Sequence, residues 1–337
     1  MLNKLKPGRG IGYQKILIFC VILILTIIFI YSSFLLNSPS ETIRFKEEIY
    51  LRDRKIKVST RVNIDEVIRN LSEIDINIFK RCTPHFKDSK LIPWERICSP
   101  HMMFLPANKS NNITALISFP GSGNTWMRQI IEEATGIYTG AIYCDKGLKR
   151  AGFLGEGISS TSVLAIKTHA HNSRSMKNSK REYDSVLFLI RNPHDAIVAE
   201  TNRRWTHNHT DIAVRDKIRN YTNWSKLVTA LAELWETTLR TWLKHDIPVL
   251  VVRYEDLESD LLNQMKRILT FLQVPYTEEK LDCVFNTKKD TFKRNHIIED
   301  EKKYDYYFYT LELRKTVKTV INNVKPLFTE FGISNYE

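Results

Sequence analysis

From Ala115 onward, short apolar runs alternate with longer stretches in which apolar residues recur every three or four positions. The short runs predict strands, and the periodic stretches predict helices. We predict strands at Ala115–Phe119, Ser162–Ile166, Ser185–Ile190 and Val249–Arg253, and helices at Thr125–Thr135, Thr222–Lys244, Ser259–Leu272 and Leu311–Phe328. This alternation indicates an α/β fold with a central parallel sheet covered on both faces. In such folds the ligand lies beyond the carboxyl ends of the strands.

The longest apolar segment runs from Ile16 to Leu36 and contains no charged residue, proline or glycine. At about 1.5 Å per residue, a helix of this length spans roughly 30 Å of hydrocarbon. The preceding residues include Lys4, Lys6, Arg9 and Lys15 and no acidic residue, so we expect the amino terminus to be cytosolic and the rest lumenal. A cleaved signal peptide is the alternative, although this apolar run exceeds the roughly 7–15 residues typical of one.

These patterns divide the chain into four predicted parts. They are a cytosolic tail (1–15), a transmembrane signal anchor (16–36), a lumenal stem (37–113) and a catalytic domain (114–337). The stem alternates charges with short apolar stretches and shows no sustained helical or strand period. Its second half contains enough apolar residues to pack on the domain that follows.

A lumenal location gives meaning to the glycosylation sequons and the cysteines. The sequons begin at Asn70, Asn108, Asn112, Asn208, Asn220 and Asn223. Apart from Cys20 in the membrane segment, the cysteines are Cys82, Cys98, Cys144 and Cys283, an even set in an oxidising compartment. We favour a local disulfide between Cys82 and Cys98. A second bond between Cys144 and Cys283, or two free buried thiols there, are both open.

The first predicted strand ends in a glycine-rich loop that leads into a helix. Its residues are Pro120, Gly121, Ser122, Gly123, Asn124, Thr125 and Trp126. Inward-facing backbone amides, two hydroxyls and a helix amino terminus favour an anion, although a tight strand-to-helix turn is the alternative. The chain contains no Gly-Lys dipeptide, which excludes the phosphate loop of the nucleoside triphosphatases. The anion would then belong to another phosphorylated donor.

Two further polar segments follow the next two predicted strands. Lys167-Thr168-His169 ends the second, and Arg191-Asn192-Pro193 follows the third. Three strand ends thus converge on one region. A histidine that takes a hydroxyl proton, beside a cation that stabilises charge on the transferred group, suits group transfer.

Together these motifs resemble those of sulfotransferases that use 3′-phosphoadenosine 5′-phosphosulfate (PAPS). The loop resembles the 5′-phosphosulfate loop of that family, Lys167-Thr168-His169 its Lys-Thr-His segment and Arg191-Asn192-Pro193 its 3′-phosphate motif, and the similarity covers about residues 114–330. Ser118–Gly140 is similar to the sulfotransferase domain of the WSC-domain-containing sialate O-sulfotransferases, although a cysteine-rich WSC module is missing. The resemblance implies a P-loop nucleotide-kinase-like three-layer sandwich.

The resemblance also assigns roles. His169 would be the base, Lys167 would neutralise the sulfonate or bridging oxygen, and Arg191 would bind the 3′-phosphate. Tyr254 and Trp126 would lie near the nucleotide or belong to the core. Lys293 and Arg294 faintly resemble the family's late donor-binding segment, with a solvated charged loop as the equal alternative.

Two positions depart from the family pattern. Gly121 stands where many members have a lysine, and Ala199 stands where a serine usually assists the arginine. Arg203, Lys293 or Arg294 would fill the gap left by Ala199. Lys167 and backbone amides would replace the missing lysine, or else the protein binds donor without fast transfer.

The acceptor side carries weaker signals. Candidate contacts with a glycan are Glu200, Asn202, Arg203, Arg204 and Trp205, and an aromatic cluster comprises Tyr304, Tyr306, Tyr307, Phe308 and Tyr309. The cluster would be a sugar-stacking platform, a cover over the donor or simple core packing. No cysteine or histidine pair has the ligand spacing of a metal site, and we expect no metal.

The formal net charge of +12 suggests at first a nucleic-acid partner. The positive excess is spread evenly over the amino-terminal segment, the stem and the domain, so nucleic-acid binding loses its main support. We therefore expect a Golgi single-pass type II sulfotransferase that transfers sulfonate from PAPS to a glycan hydroxyl, such as that of sialic acid on glycoproteins or glycolipids. Other acceptors (a neutral sugar or tyrosine) and a catalytically weak lumenal binding protein are the alternatives, and the oligomeric state is open.

Overall fold

The computed structural model describes residues 68–83, 97–106, 112–169, 183–206, 221–244, 246–287, 308–334 and 336. All of them lie in one compact unit that spans Thr60–Glu337. The predicted membrane anchor, together with Lys293 and Arg294, falls outside the described residues. Within the ranges above, no helix combines the length and apolar character needed to cross a membrane.

Five parallel strands form the centre of the fold. They are β1 (Thr114–Ser118), β2 (Gly140–Ala141), β3 (Ile166–Thr168), β4 (Ser185–Ile190) and β5 (Val249–Arg253), in the spatial order β2-β3-β1-β4-β5. The described helices are α1 (Glu73–Arg81), α2 (Asn124–Thr135), α3 (Lys146–Arg150), α4 (Pro193–Thr206), α5 (Trp224–Leu243), α6 (Tyr254–Ser259), α7 (Leu261–Phe271), α8 (Glu278–Thr287) and α9 (Leu311–Glu330).

Alternation along the strands divides the core into two halves. On β4, Phe188 belongs to the cluster packed by α5 and α9, whereas Leu187 and Leu189 belong to the cluster packed by α2 and α7. Successive strand residues point to opposite faces, so a fully buried strand supplies both halves. The predicted three-layer arrangement with a central parallel sheet is confirmed.

The second predicted strand was misplaced. Ser162–Ala165 form a turn, and β3 begins only at Ile166, where the ladder with β1 starts at Ala115. Val163, Leu164 and Ala165 are buried but precede the strand, although the Leu164 amide donates to the Tyr138 carbonyl and the Ala165 carbonyl accepts from the Gly140 amide. The sequence also did not predict β2, α1, α3, α6 or α8, and α1 contradicts the expectation that the stem has no helical period. Of these elements, β2, α3 and α6 are too short to establish a periodic pattern.

The favoured Cys82–Cys98 disulfide is wrong, and neither of the two alternatives left open for Cys144 and Cys283 is found. The bonds join Cys82 to Cys144 and Cys98 to Cys283, with a Cα–Cα distance of 5.7 Å in each. The preferred pairing rested on nearness in sequence, whereas the fold brings the end of α1 to the segment after β2. Each bond closes a long loop, of 62 and 185 residues, which is where cross-links remove most entropy from the unfolded chain.

Helix α1 and the segment 97–106 pack on the sheet domain. Phe79 and Phe104 are buried and meet edge to face with ring centroids 6.5 Å apart. The Asn70 amide donates a hydrogen bond to the Phe104 carbonyl at 2.9 Å. Asp75, almost fully buried, accepts hydrogen bonds from Ser72 and Ser160. This part of the predicted stem is therefore a structural part of the domain.

Candidate active site

Parallel pairing brings three strand ends to one place. In the sheet, β1 lies between β3 and β4, with Ile117 opposite Thr168 and Ser118 opposite Leu189. The glycine-rich loop after β1, His169 after β3 and Arg191 after β4 are consequently neighbours. The convergence expected from the sequence follows from this register.

The loop is held closely on two sides. Gly121 and Gly123 both have left-handed backbone conformations, with φ of 86° and 93°. A Cβ on Gly121 would collide with the Ala196 carbonyl and lie 2.8 Å from the Glu200 amide nitrogen of α4, and one on Gly123 would lie 2.6 Å from the Tyr254 ring. A loop side chain at either position therefore has no room.

The two departures from the family pattern meet in this contact. A Cβ on Gly121 would lie 3.2 Å from the Ala199 Cβ, so the position of the missing lysine packs against the position of the missing serine. The loop rests on α4 at a distance that a side chain at residue 121 would prevent. The two changes are thus compatible with one another in a single packing arrangement.

Substitution of Gly121 by alanine is expected to destabilise the fold and weaken donor binding. A non-glycine residue in the left-handed region costs about 1–2 kcal/mol, and the collision with α4 adds to that cost. Gly332 has φ of 62° and open space around it, so Gly332→Ala isolates the backbone cost. Thermal unfolding and donor titration of both variants compare the two costs. If Gly121→Lys instead increased turnover, the loop would have room that this packing denies.

The interior of the loop offers hydrogen-bonding groups without protein partners. Within the described part of the chain, the Ser122 hydroxyl and the Asn124 side-chain oxygen are buried and have no hydrogen-bond partner. Helix α2 begins with Gly123 as N-cap, without a side-chain cap and without an acidic residue in its first turn. Its first amides are therefore available to an anion, as the helix dipole favours. These features fit a phosphate group.

Lys167 is a buried cation on β3, the strand beside the β1 strand that leads into this loop. Its side chain is only 7% exposed, and among the described residues no hydrogen-bond or ion-pair partner is found for its amine. Burial lowers its pKa from 10.5 to about 8, while the charge of Glu156 acts in the opposite direction. A buried charge without a direct partner costs stability, so this arrangement points to a function that needs the charge.

The orientation of His169 is set by a backbone carbonyl. Its Nδ1 lies 2.8 Å from the Ser118 carbonyl oxygen. Since that oxygen can only accept, Nδ1 carries the proton, and in the neutral imidazole the lone pair is on Nε2. The His169 amide donates to the Tyr143 hydroxyl at 2.8 Å, and the two rings stack with centroids 5.7 Å apart. His169 has the tautomer that a base acting through Nε2 requires.

Arg191 follows β4, which lies beside β1 on the side away from β3, and its side chain reaches the loop. Its Nη1 donates to the Gly121 carbonyl at 3.1 Å, and the guanidinium lies 4.2 Å from the centre of the Tyr254 ring. Its Nε is buried and has no acceptor among the residues that the structure describes. The Arg191 carbonyl accepts from the Trp235 indole at 3.2 Å. The guanidinium is thus positioned beside the loop with part of its donor capacity unused.

The aromatic candidates belong mainly to the core. Trp126 and Tyr254 are each 7% exposed and contact one another with ring centroids 5.6 Å apart. Of the aromatic cluster, Phe308 and Tyr309 are buried, and the Tyr309 hydroxyl donates to the His194 carbonyl. Tyr304, Tyr306 and Tyr307 lie outside the described residues.

The proposed acceptor contacts on α4 are partly wrong. Glu200 and Asn202 are 1% and 2% exposed and are therefore not available to a glycan. Glu200 holds both Arg203 and Arg204 at 2.7 Å, and its hydrogen bond raises the pKa of Arg203. The two arginines are less than half exposed and are engaged in this ion-pair cluster. The spacing of apolar residues along α4 did not reveal that the Glu200 side chain points inward.

Three residues around Lys167 and His169 were not predicted from the sequence. Tyr143 stacks on His169, and Arg128 and Glu156 form a fully buried ion pair at 2.5 Å behind Lys167. Arg128 and Glu156 stand on a helix and a loop where charged residues usually face solvent, and only the fold reveals their burial. No cluster of three or more metal-ligating side chains is found in the described ranges.

Comparison with known proteins agrees with this site. A family model described as "Sulfotransferase domain" matches residues 156–314. "WSCD family member CG9164" of Drosophila melanogaster is 34% identical over 226 residues, which cover 65% of this chain and 68% of the relative. "WSCD family member AAEL009094" of Aedes aegypti is 34% identical over 218 residues, which cover 59% of this chain and 67% of the relative.

More distant likenesses include other sulfotransferases. The amine sulfotransferase of Oryctolagus cuniculus is 21% identical over 200 residues, which cover 54% of this chain and 62% of that protein. The solved mouse sulfotransferase SULT7A1, complexed with PAP, has a TM-score of 0.41 and 16% identity, covering 66% of this chain and 89% of that one. These matches assign the chain to the sulfotransferases. Within it, the chain belongs to the WSCD family.

Proposed function

We propose that this sulfotransferase takes sulfonate from PAPS and transfers it to a glycan hydroxyl. The observation that carries the proposal is the fixed tautomer of His169, whose Nδ1 is bound to the carbonyl of Ser118, the last residue of β1 before the glycine-rich loop. One contact thereby links a base directed through Nε2 to the loop that fits a phosphate. Base and donor site are then held in one rigid unit, as in-line transfer needs.

His169 and Lys167 divide the chemistry between them. PAPS supplies a sulfonate whose bond to the bridging phosphate oxygen breaks as the acceptor oxygen bonds to sulfur. The Nε2 atom of His169 takes the proton of the attacking hydroxyl. Lys167 stabilises negative charge on the sulfonate and the bridging oxygen, because its charge acts in a water-poor environment. The leaving group is 3′-phosphoadenosine 5′-phosphate.

The donor's phosphates would be bound by two separate parts of the site. The hydroxyl of Ser122 and the first amides of α2 suit the 5′-phosphate, since buried unpartnered groups gain most from a ligand. The guanidinium of Arg191 suits the 3′-phosphate through paired N–H donors. Lys293 and Arg294 remain a prediction for the same group.

The proposed location and acceptor are supported by the sequence. We place the protein in the Golgi membrane as a single-pass type II protein, on the strength of the predicted anchor at 16–36 and the sequons. Asn112 and Asn223 are exposed, as a glycan attachment site must be. The similarity of Ser118–Gly140 to the sialate O-sulfotransferases favours sialic acid as the acceptor.

The decisive experiment incubates the full-length chain in detergent with radiolabelled PAPS and a panel of glycoproteins, with and without sialidase treatment. Label transfer that sialidase abolishes supports the sialate acceptor. Transfer that survives sialidase contradicts that acceptor and directs the search to neutral sugars or tyrosine. Binding of PAPS without transfer to any substrate in the panel would indicate a weakly catalytic binding protein.

Replacement of Arg191 by alanine is expected to weaken PAPS binding by about 2 kcal/mol, roughly a thirtyfold increase in Kd. The physical reason is the loss of charge-assisted hydrogen bonds to phosphate. Isothermal titration with PAPS measures the change, and Arg191→Lys separates charge from paired geometry. A Kd that is unchanged in Arg191→Ala would remove this residue from the donor site.

A further inference from the structure

Tyr143 contacts both the backbone and the ring of His169. Its hydroxyl accepts the His169 amide N–H at 2.8 Å, and its ring lies over the imidazole with an interplanar angle of 26°. Burial raises the pKa of Tyr143, so the hydroxyl stays a neutral phenol at working pH. The residue is nevertheless 37% exposed.

The segment that carries Tyr143 is fixed on both sides. The Ile142 amide donates to the Lys167 carbonyl at 3.1 Å. Cys144 is joined to Cys82 at the end of α1, and the Asp145 amide donates to Glu156 at 3.2 Å. This stretch lies outside helices and strands, so these neighbours, rather than a regular element, determine where the tyrosine ring stands.

His169 thus has two different constraints. The Ser118 carbonyl determines which ring nitrogen holds the proton, and the Tyr143 ring restricts the plane in which the imidazole lies. Either contact alone leaves the imidazole a way to rotate. With both, Nε2 points in one direction, which matters because small misplacement of a reacting group slows reactions strongly.

We propose that Tyr143 is a positioning residue for His169, and that the Cys82–Cys144 disulfide holds it in that position. The inference rests on the proposed role of His169 as the base. It connects α1, on the amino-terminal side of the sheet domain, with the proton-transfer group, and it gives this disulfide a catalytic consequence as well as a structural one.

The test compares Tyr143→Phe, which keeps the ring, with Tyr143→Leu, which removes it. Full-length protein labelled with ¹⁵N-histidine reports the tautomer of His169 by NMR, and His169→Gln identifies its signals. We expect the Nδ1–H tautomer in the native chain and in Tyr143→Phe. In Tyr143→Leu we expect a mixture of tautomers, because without the ring the imidazole can turn away from the Ser118 carbonyl that selects the Nδ1–H form. Sulfonate transfer to the glycoprotein panel should fall roughly tenfold for Tyr143→Phe and about a hundredfold for Tyr143→Leu, with the Kd for PAPS unchanged.

Two matched controls separate positioning from general destabilisation. Tyr221 is 41% exposed and contacts Trp205, so Tyr221→Leu removes a similarly exposed aromatic ring elsewhere. For the disulfide, Cys82→Ser with Cys144→Ser is compared with Cys98→Ser with Cys283→Ser. The first pair should mix the His169 tautomers, whereas the second should lower the melting temperature and leave the tautomer unchanged.

The tautomer of His169 can be measured by NMR without an acceptor. The measurement therefore tests the positioning of His169 by Tyr143 separately from the proposed reaction. An unaltered Nδ1–H tautomer in Tyr143→Leu would overturn the role of the tyrosine. An equal change in both cysteine pairs would overturn the role of this particular disulfide. If His169→Ala retained full transfer activity, the proposed base would be wrong even where the tautomer responds to Tyr143.

Discussion

Substitution of His169 by alanine is expected to slow sulfonate transfer by about 10²–10⁴-fold while the affinity for PAPS stays nearly the same. The reason is that Nε2 would no longer take the proton of the acceptor hydroxyl, whereas the donor's phosphates contact other residues. Initial rates with labelled PAPS and equilibrium titration of the donor measure the two effects separately.

A matched variant separates the loss of the base from the loss of the contact with Ser118. In His169→Asn, the side-chain amide can donate to the Ser118 carbonyl in place of Nδ1–H, so the contact between β3 and the loop is kept without a base. Transfer should be as slow as in the alanine variant, and the melting temperature should be closer to that of the native chain. Turnover that persists in both variants would exclude His169 as the base.

Replacement of Lys167 by methionine is expected to abolish most of the activity and yet stabilise the fold. Removing a preorganised cation from the reacting group costs about 10²–10³-fold in rate. The stability effect follows from the pKa of Lys167, which burial lowers from 10.5 to about 8. At about 1.4 kcal/mol for each pKa unit, the buried ammonium destabilises the folded protein by about 3 kcal/mol at neutral pH.

The pH dependence has a definite sign. Below pH 8 Lys167 is protonated in both the folded and the unfolded chain, so the full cost is present. As the pH rises from 8 to 10.5, the folded protein releases this proton first and the cost disappears. Chemical denaturation should therefore show the stabilisation by Lys167→Met at pH 7 and a smaller difference at pH 10. The affinity of the native protein for PAPS should weaken above pH 8, as Lys167 loses its charge. In Lys167→Met this decrease should be absent.

Lys149 is the natural control for this experiment. It is also buried, and burial likewise lowers its pKa to about 8. Unlike Lys167, its amine donates to the carbonyls of Phe79 and Glu156 at 3.3 Å and lies 3.9 Å from the Phe79 ring centre. Lys149→Met should leave PAPS binding unchanged and should stabilise the protein less than Lys167→Met, because it also loses these contacts with Phe79 and Glu156. Equal stabilisation in both variants would mean that burial alone, rather than the missing partner, sets the cost.

Lys167 offers a physical explanation for the presence of Gly121 where many sulfotransferases have a loop lysine. The usual loop lysine has no room here, because residue 121 lies against α4. The structure instead retains a buried cation on the neighbouring strand and open hydrogen-bonding groups in the loop. A site that has lost its need for charge would not be expected to retain an ammonium at this cost in stability.

Sequence by itself determined the elements and motifs that depend on local pattern. Short apolar runs located β4 and β5, and the period of apolar residues located most of α5 and α9, because a buried strand needs a run and a buried helix face needs that period. The order of loop, Lys167-Thr168-His169 and Arg191 at successive strand ends was enough to predict one common site. Parallel strands place their carboxyl ends at one edge, so this inference needed no knowledge of side-chain contacts.

Tertiary structure alone decided the features that join distant parts of the chain. Nearness in sequence favoured Cys82 with Cys98, but the fold pairs Cys82 with Cys144. The inward direction of Glu200, the buried charge of Lys167 and the stacking of Tyr143 on His169 likewise depend on packing between elements. Local patterns in the sequence show which residues avoid water. The arrangement of the layers decides which buried groups contact each other, and it therefore determines the geometry of His169 and Lys167.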